Sequence, residues 1–297
     1  MESLPVKRPH ILFLFSDTGG GHRSAVEAII EAIELEFPDL MTTEMVDFFK
    51  EYAPPPLDLA PEIYPPLSRA PDLWALSYQL SDGRRRTRLF TEILWPYVRR
   101  SSYRLVKEHP SDLIVSVHPL ANAPILRALP PKRPKFMTVV TDMVSTHAFW
   151  FEKKTDLVLV PTDAARQKAL DYGLRSQQVR VVGQPVAERF CHPIGDQAEL
   201  RHKLGWPQDV PILLMVGGGE GMGPIEKMAQ AINQSTLPVG LVVIAGRNQK
   251  LESRLKEISW NIPAFIYGFV HEMPDFMQAA DVLISKAGPG TISEAFI

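Results

Sequence analysis

The sequence predicts an α/β protein built from two doubly wound parallel sheets. Three observations carry that expectation. Short apolar runs such as Ile11–Phe15, Leu113–Val117, Leu157–Val160 and Ile212–Val216 lack the strict alternation of a sheet with one wet face, as happens when helices cover both faces. Segments with apolar residues at helical spacing lie between them. Glycine-rich turns follow several of the runs, at the strand ends where open α/β sheets receive ligands.

In chain order, the first series has candidate strands at Ile11–Phe15, Thr43–Asp47, Leu113–Val117, Phe136–Val140, Leu157–Val160 and Val179–Val182. Helices are expected at Ser24–Phe37, where Ala25, Ala28, Ile29, Ala32 and Ile33 recur on one face, and at Arg85–Glu108, Ala121–Leu129 and Asp163–Tyr172. The proline cluster between Pro54 and Pro71 is expected to break regular structure. Gly183-Gln184-Pro185 closes the series, and the stretch to Pro193 is the candidate linker. A second series follows. It has a helix near Asp196, which stands at capping-box spacing from Glu199, and strands at Ile212–Val216, Val239–Ala245, Ala264–Tyr267 and Val282–Ser285. Its helices are placed at Ile225–Ile232, about Gln249–Ile258, and from Ile292 to the end. At about 150 residues per domain the 297 residues suggest two: residues 1–190 and 191–297, the second read as incomplete because its last helix ends within two turns.

Composition excludes several classes. Lysine plus arginine number 32 against 34 acidic residues, a net charge of −2, so no global basic field points to nucleic acid. One cysteine, Cys191, excludes an internal disulfide framework and suits a reducing compartment. No apolar run reaches the ~18–20 residues of a membrane span, and the N-terminus carries no signal-peptide core. A cytoplasmic protein is expected, with association at a membrane surface left open.

The richest stretch is Ser16-Asp17-Thr18-Gly19-Gly20-Gly21-His22-Arg23, between a strand and a helix. Such a turn aims backbone N–H groups outward and lets another molecule approach closely, and a histidine there can exchange a proton near neutrality. The bland reading of His22 is a solvent-facing or capping residue. His118-Pro119 and Thr141-Asp142 follow strands of the same domain and should border the same cleft. Asp142 could orient a histidine, bind a substrate hydroxyl or simply cap. Trp150, within Ala148-Phe149-Trp150-Phe151, reads as core or as a lipid-facing patch. Arg84-Arg85-Arg86-Thr87-Arg88, with Trp74, Tyr78, Trp95 and Tyr97 nearby, suits an anionic membrane surface or a solvated helix face.

In the second domain, Gly217-Gly218-Gly219-Glu220-Gly221-Met222-Gly223 leaves a strand and opens a helix. It suits a pyrophosphate held by backbone N–H groups or plain turn chemistry. It lacks both the P-loop ending and the acidic partner of a dinucleotide fingerprint. Lys286-Ala287-Gly288-Pro289-Gly290-Thr291-Ile292-Ser293-Glu294 adds a cation, a hydroxyl and a carboxylate. Glu294 could accept the two hydroxyls of a ribose, or serve as an N3 cap for a helix starting at Thr291. Phe269 and Val270, in Gly268-Phe269-Val270-His271, offer a surface for a flat base or a simple connection. No metal constellation and no Asp-x-Asp appear.

These motifs together resemble the monogalactosyldiacylglycerol synthases and related diacylglycerol glucosyltransferases. Ser16–Arg23 is similar to their N-terminal signature. Met215–Pro224 and Lys286–Ala295 resemble their donor-domain motifs, as does Val140-Thr141-Asp142 with His147 and Trp150-Phe151. The resemblance implies the GT-B fold, two Rossmann-like domains facing a cleft. It implies an inverting hexosyltransferase that uses UDP-galactose or UDP-glucose and diacylglycerol, without metal or other cofactor. Monotopic association with anionic lipids belongs to the same expectation. His22 takes the place of the catalytic base. Gly19, Gly20, Gly21, Asp142 and Trp150 fall on the acceptor side, Trp150 facing lipid. Gly218, Gly219, Glu220, Gly221 and Met222 form the donor loop, Phe269 and Val270 line the base, and Lys286, Gly288, Pro289, Gly290, Thr291 and Glu294 hold diphosphate and ribose. The imidazole is thus expected to face phosphate-binding amides across a shared crevice. Transfer to another lipid or a small alcohol, or nucleotide-sugar binding without catalysis, are the rival readings.

Overall fold

The computed structural model describes residues 8–17, 21–60, 62, 71–192 and 195–297, with backbone alone for 71–75. The chain divides into two compact units between Ala187 and Glu188.

The first unit is a six-stranded parallel sheet of order β2-β1-β3-β4-β5-β6. Its strands are β1 (His10–Phe15), β2 (Thr42–Asp47), β3 (Leu113–Ser116), β4 (Lys135–Val139), β5 (Leu157–Val160) and β6 (Val179–Val181). The helices are α1 (Gly21–Glu36), α2 (Phe48–Tyr52), α3 (Pro71–Ser81), α4 (Arg84–Glu108), α5 (Pro119–Ala128) and α6 (Asp163–Asp171). Alternate residues of β1 enter different cores. Ile11, Phe13 and Phe15 pack with Ala25 and Val26 of α1, while Leu12 and Leu14 pack with Leu105 of α4 and Ile125 of α5. This period of two, apolar on both sides, is why the strands read as continuous hydrophobic runs.

Two helices depart from expectation. The proline-rich stretch was expected to break structure through Pro71, yet α3 starts at Pro71, because proline suits the first turn, where its missing N–H has no intrahelical role. The short α2 follows β2 directly. Asp47 caps it by accepting the N–H groups of Phe49 and Lys50, both at 3.1 Å.

The second unit is a four-stranded parallel sheet of order β10-β7-β8-β9. Its strands are β7 (Ile212–Val216), β8 (Gly240–Ile244), β9 (Ala264–Tyr267) and β10 (Val282–Ser285). Its helices are α7 (Gln197–Leu204), α8 (Ile225–Asn233), α9 (Gln249–Lys256), α10 (Met273–Ala279) and α11 (Pro289–Phe296). One face packs Leu214, Val242 and Ile244 against Trp206 and Phe276. The other packs Met215, Leu241 and Val243 against Ile225, Leu251 and Leu255. Asp281 ties the strand starts together: it accepts the N–H of Ile212 at 2.6 Å and pairs with buried Arg201 at 2.5 Å.

Candidate functional site

In the first unit the site gathers at the strand C-terminal ends. Phe15 is in register with Asp47, and Leu14 with Ser116, so the segments after β1, β2 and β3 leave the sheet side by side. The turn after β1 is braced from below. Asp47 accepts the N–H of Asp17 at 3.0 Å, and Asp17 takes two hydrogen bonds from Arg23, at 2.6 and 2.7 Å. Gly21 is the first residue of α1 and is exposed, and His22 is the second. Gly19 and Gly20, named as acceptor-side residues, lie outside the described residues.

The half-buried His22 ring is held by parts of the chain about a hundred residues away. Its Nδ1 lies 3.2 Å from Thr141 Oγ1. Its centroid is 4.6 Å from that of His118, edge to face, and 6.0 Å from that of Trp150. Burial lowers its pKa from 6.5 to about 4, although a hydrogen bond to the Val117 backbone opposes the shift. Its place at a helix N-terminus acts in the same direction, because the positive end of the helix disfavours an imidazolium. The neutral ring carries one N–H and one lone pair, whichever nitrogen holds the proton. His118 is buried, and its Nδ1 accepts from the N–H of Leu120 at 3.3 Å. Burial and then the neighbouring His22 hold it well below 6.5. The result is a neutral imidazole pair at physiological pH.

Two acceptor-side expectations need correction. Trp150 does not face lipid: it is 0% exposed and belongs to a core with Val140, Val158 and Val160. Its backbone carbonyl accepts from Asn122 at 3.2 Å, which draws the segment onto α5. Asp142 does not orient the histidine: its carboxylate accepts the indole N–H of Trp150 at 2.7 Å, and burial raises its pKa. Thr141 and Val117 are the partners of His22 instead. His147 is likewise structural, with Nδ1 accepting from Phe149 N–H at 3.2 Å and Nε2 lying 3.1 Å from Ser81 Oγ.

In the second unit four loops leave the sheet at one level, since Ser285 pairs with Val216, Val216 with Ile244, and Ile244 with Tyr267. The turn after β7 folds tightly onto the turn after β8. A Cβ on Gly221 would stand 2.1 Å from the Ala245 carbonyl oxygen, and its φ is +56°, so only glycine fits. The amide of Gly221 is spent inside the turn, donating to Gly218 at 3.0 Å, and Met222 N–H donates to Gly217 at 2.8 Å. Gly288 N–H donates to the Lys286 carbonyl at 2.6 Å. Not every glycine amide in these loops therefore points outward as expected. Gly219 is exposed and Gly218 and Glu220 are half-buried.

Lys286 joins the two glycine loops: its Cε lies 3.9 Å from where a Gly218 Cβ would stand and 4.0 Å from that of Gly288. Partial desolvation lowers its pKa. Pro289 starts α11, with Gly290 and Thr291 in its first turn. The capping alternative for Glu294 fails, because the cap residue is Gly288, three positions earlier than Thr291. Glu294 instead sits half-buried in the second turn, its pKa raised by burial and only partly restored by Arg189. Val270 packs against the core, while Phe269 is 46% exposed. Arg247, which the sequence reading passed over, centres its guanidinium 4.5 Å above the Phe269 ring, pairs with Glu220 at 3.1 Å and donates its N–H to Gly219 at 2.8 Å. Its sequence signal is its place just beyond a buried strand. Among the described residues no group of three or more His, Cys, Asp or Glu is arranged to hold a metal ion.

Comparison with known proteins places the chain in a family. The monogalactosyldiacylglycerol (MGDG) synthase family matches residues 22–186, and the glycosyltransferase family 28 C-terminal domain matches residues 212–297. The chain belongs to the MGDG synthase family. It is 38% identical to a probable monogalactosyldiacylglycerol synthase, chloroplastic, of Glycine max over 98% of this chain and 57% of that one. It is 36% identical to monogalactosyldiacylglycerol synthase 1, chloroplastic, of Arabidopsis thaliana over 97% of this chain and 56% of that one. The chain thus spans little more than half the length of these relatives. Among solved structures, Acinetobacter baumannii MurG aligns with 96% of this chain and 75% of its own at a TM-score of 0.53 and 13% identity. An S. aureus MnaA–UDP structure covers 97% and 76% at 0.55 and 14%. The fold is that of the GT-B glycosyltransferases, two Rossmann-like parallel-sheet domains.

Proposed function

We propose that this MGDG synthase family member is an inverting glycosyltransferase moving galactose, or glucose, from a UDP-sugar to the sn-3 hydroxyl of diacylglycerol. The observation that carries the reading is a neutral His22 in the first turn of a helix, its Nδ1 3.2 Å from Thr141 Oγ1, inside a segment of the chain that matches MGDG synthases. In the reaction the acceptor oxygen forms a bond to the anomeric carbon, the bond from that carbon to the diphosphate oxygen breaks, UDP leaves, and the hydroxyl proton passes to the unprotonated ring nitrogen of His22. A positioned base of this kind contributes roughly 10²–10⁴-fold. Charge developing on the diphosphate is met by the loops carrying Gly218, Gly219 and Glu220, by the first turn of α11, and by Lys286, whose partly dehydrated ammonium gains most from an arriving anion. Glu294 accepts the ribose hydroxyls, and Phe269 flanks the base. This set works without a metal ion, and activity is expected to survive EDTA.

Membrane contact is assigned to the exposed apolar residues of α3 and α4. Leu76 and Leu80 of α3 and Leu89, Ile93 and Tyr97 of α4 are all exposed, beside exposed Arg85, Arg86 and Arg88. Each cation near an anionic surface contributes about 1 kcal/mol. No described helix is long and apolar enough to cross a membrane, so the protein would lie on the surface.

The test is incubation with radiolabelled UDP-galactose or UDP-glucose and detergent-dispersed diacylglycerol. Label in the organic phase is expected. Tight UDP binding with no transfer to any lipid would favour a nucleotide-sugar binder and overturn the enzyme reading.

A further inference from the structure

The first unit contains a cavity of about 210 Å³ that the chemistry above does not use. On one side α4 contributes Phe90, Leu94, Trp95, Val98 and Leu105. Phe48, Phe49 and Tyr52 of α2 and Leu120 and Ala123 of α5 also line it. From Phe90 to Leu105 the helix rises about 22 Å at 1.5 Å per residue, so the lining residues are drawn from several turns of α4. Its volume exceeds the ~150 Å³ of an apolar cavity that stays dry and takes benzene.

Three of the four hydroxyls that line it already donate within the chain. Thr91 Oγ1 donates to the Thr87 carbonyl at 2.8 Å, and Ser102 Oγ to that of Val98 at 3.0 Å. The Tyr52 hydroxyl donates to Glu108 at 2.7 Å. Most of the other lining side chains are apolar, so the occupant this wall favours is hydrocarbon over most of its length. Two parts of the wall differ. Phe48 and Phe49 pack on His118, at centroid distances of 5.2 and 5.6 Å, and His118 packs on His22. Phe90 is 42% exposed, next to the exposed Leu89 and Ile93 of the same helix. One lining group thus adjoins the imidazole pair, and another reaches an exposed apolar surface on a helix that also carries exposed Arg85, Arg86 and Arg88.

We propose that this cavity seats one acyl chain of the lipid acceptor, drawn from the membrane past Phe90 so that the head of the lipid comes to His22. The inference rests on the transferase reading for the identity of the lipid, but its first test does not.

Trp95 supplies the readout. The probe is 11-bromoundecanoic acid below its micelle concentration, whose bromine quenches an indole on contact. Saturable quenching is expected in the whole protein, and W95F should lose the quenchable part of the emission. Two cavity-filling variants, Val98→Phe and Ser101→Phe, should weaken the probe at least tenfold, with thermal melts followed by circular dichroism to show that each is folded. Across a series of unbranched fatty acids competing with the probe, affinity should rise about fourfold per added methylene until the cavity is full, then level off. In transfer assays the folded filling variants should raise KM for long-chain diacylglycerol at least tenfold and leave KM for the UDP-sugar unchanged. Absent quenching, or equal quenching in W95F, would overturn the seat. Transfer without quenching would sink the seat and leave the enzyme. Quenching without transfer would uphold the acyl seat and sink the enzyme reading.

Discussion

Replacing His22 by alanine separates chemistry from binding and from folding, and the structure sets the size of each effect. With a pKa of about 4, the imidazole is protonated in roughly one molecule per thousand at pH 7, so it is ready to accept a proton throughout the physiological range. Its removal should lower kcat by about 10²–10⁴-fold, or roughly 3–5 kcal/mol of barrier. UDP affinity should change less than twofold, since the donor loops belong to the other unit. The pH dependence follows from the direction of the shift. A base works when neutral, so the acid limb of kcat/KM in the wild type should fall near pH 4 and not near 6.5. Stability moves the same way. A histidine whose folded pKa is depressed binds its proton more readily when unfolded, so its contribution is intact above 6.5 and is lost as pH falls from there through 4. The span is about 2.5 pK units, or roughly 3 kcal/mol. The H22A variant should therefore lose less stability than wild type between pH 7 and pH 4, despite a small loss at neutral pH from the missing contact with His118. The assays are steady-state transfer from labelled UDP-sugar across pH 4–9 and urea melts at three pH values. An acid limb at 6.5 in the wild type, or a variant within threefold of wild-type kcat, would refute the reasoning.

Trp150→Phe removes the indole N–H that serves the Asp142 carboxylate at 2.7 Å. A loss of about 1.5–3 kcal/mol is expected in denaturant melts at pH 7, and it should shrink in the double variant with Asp142→Asn. Gly221→Ala places a methyl group 2.1 Å from the Ala245 carbonyl oxygen and should weaken UDP at least tenfold by calorimetry. Gly223→Ala, with φ +102° but open space around it, should cost only about 1–2 kcal/mol of strain and leave UDP affinity within threefold. Lys286→Met should weaken UDP by about 10–100-fold, the worth of one charge-assisted hydrogen bond, while uridine binding stays unchanged; equal losses for both ligands would remove Lys286 from the diphosphate.

The fold was legible because its signals are local. Apolar runs covered on both faces, helical periodicity and glycine turns place β5, β7, β9 and β10 at the expected residues, and α4 within one residue of its expected start. The glycine loops of the second unit were legible for the same reason, since each is a contiguous motif at a strand end. What escaped depends on neighbours distant in the chain. Arg247 gains meaning only when β8 places it beside Gly219 and Phe269. Trp150 read as either core or a lipid-facing patch, and only the contacts with α5 and the β5 core decide for burial. The cavity beside α4 has no signature at all, because its walls come from residues as far apart in the chain as Phe48 and Phe149.

The sequence by itself determined the alternation of strands and helices, the glycine turns that end them, and the histidine set at the first of those turns. Tertiary structure decided how that histidine titrates, which way the tryptophan points and where a hydrocarbon chain could lie. The physical reason is that hydrogen bonds and turn geometry act over a few residues, whereas desolvation is set by whatever packs against a group in space. For His22 those groups are His118, Thr141 and Trp150, which the chain delivers from three other segments.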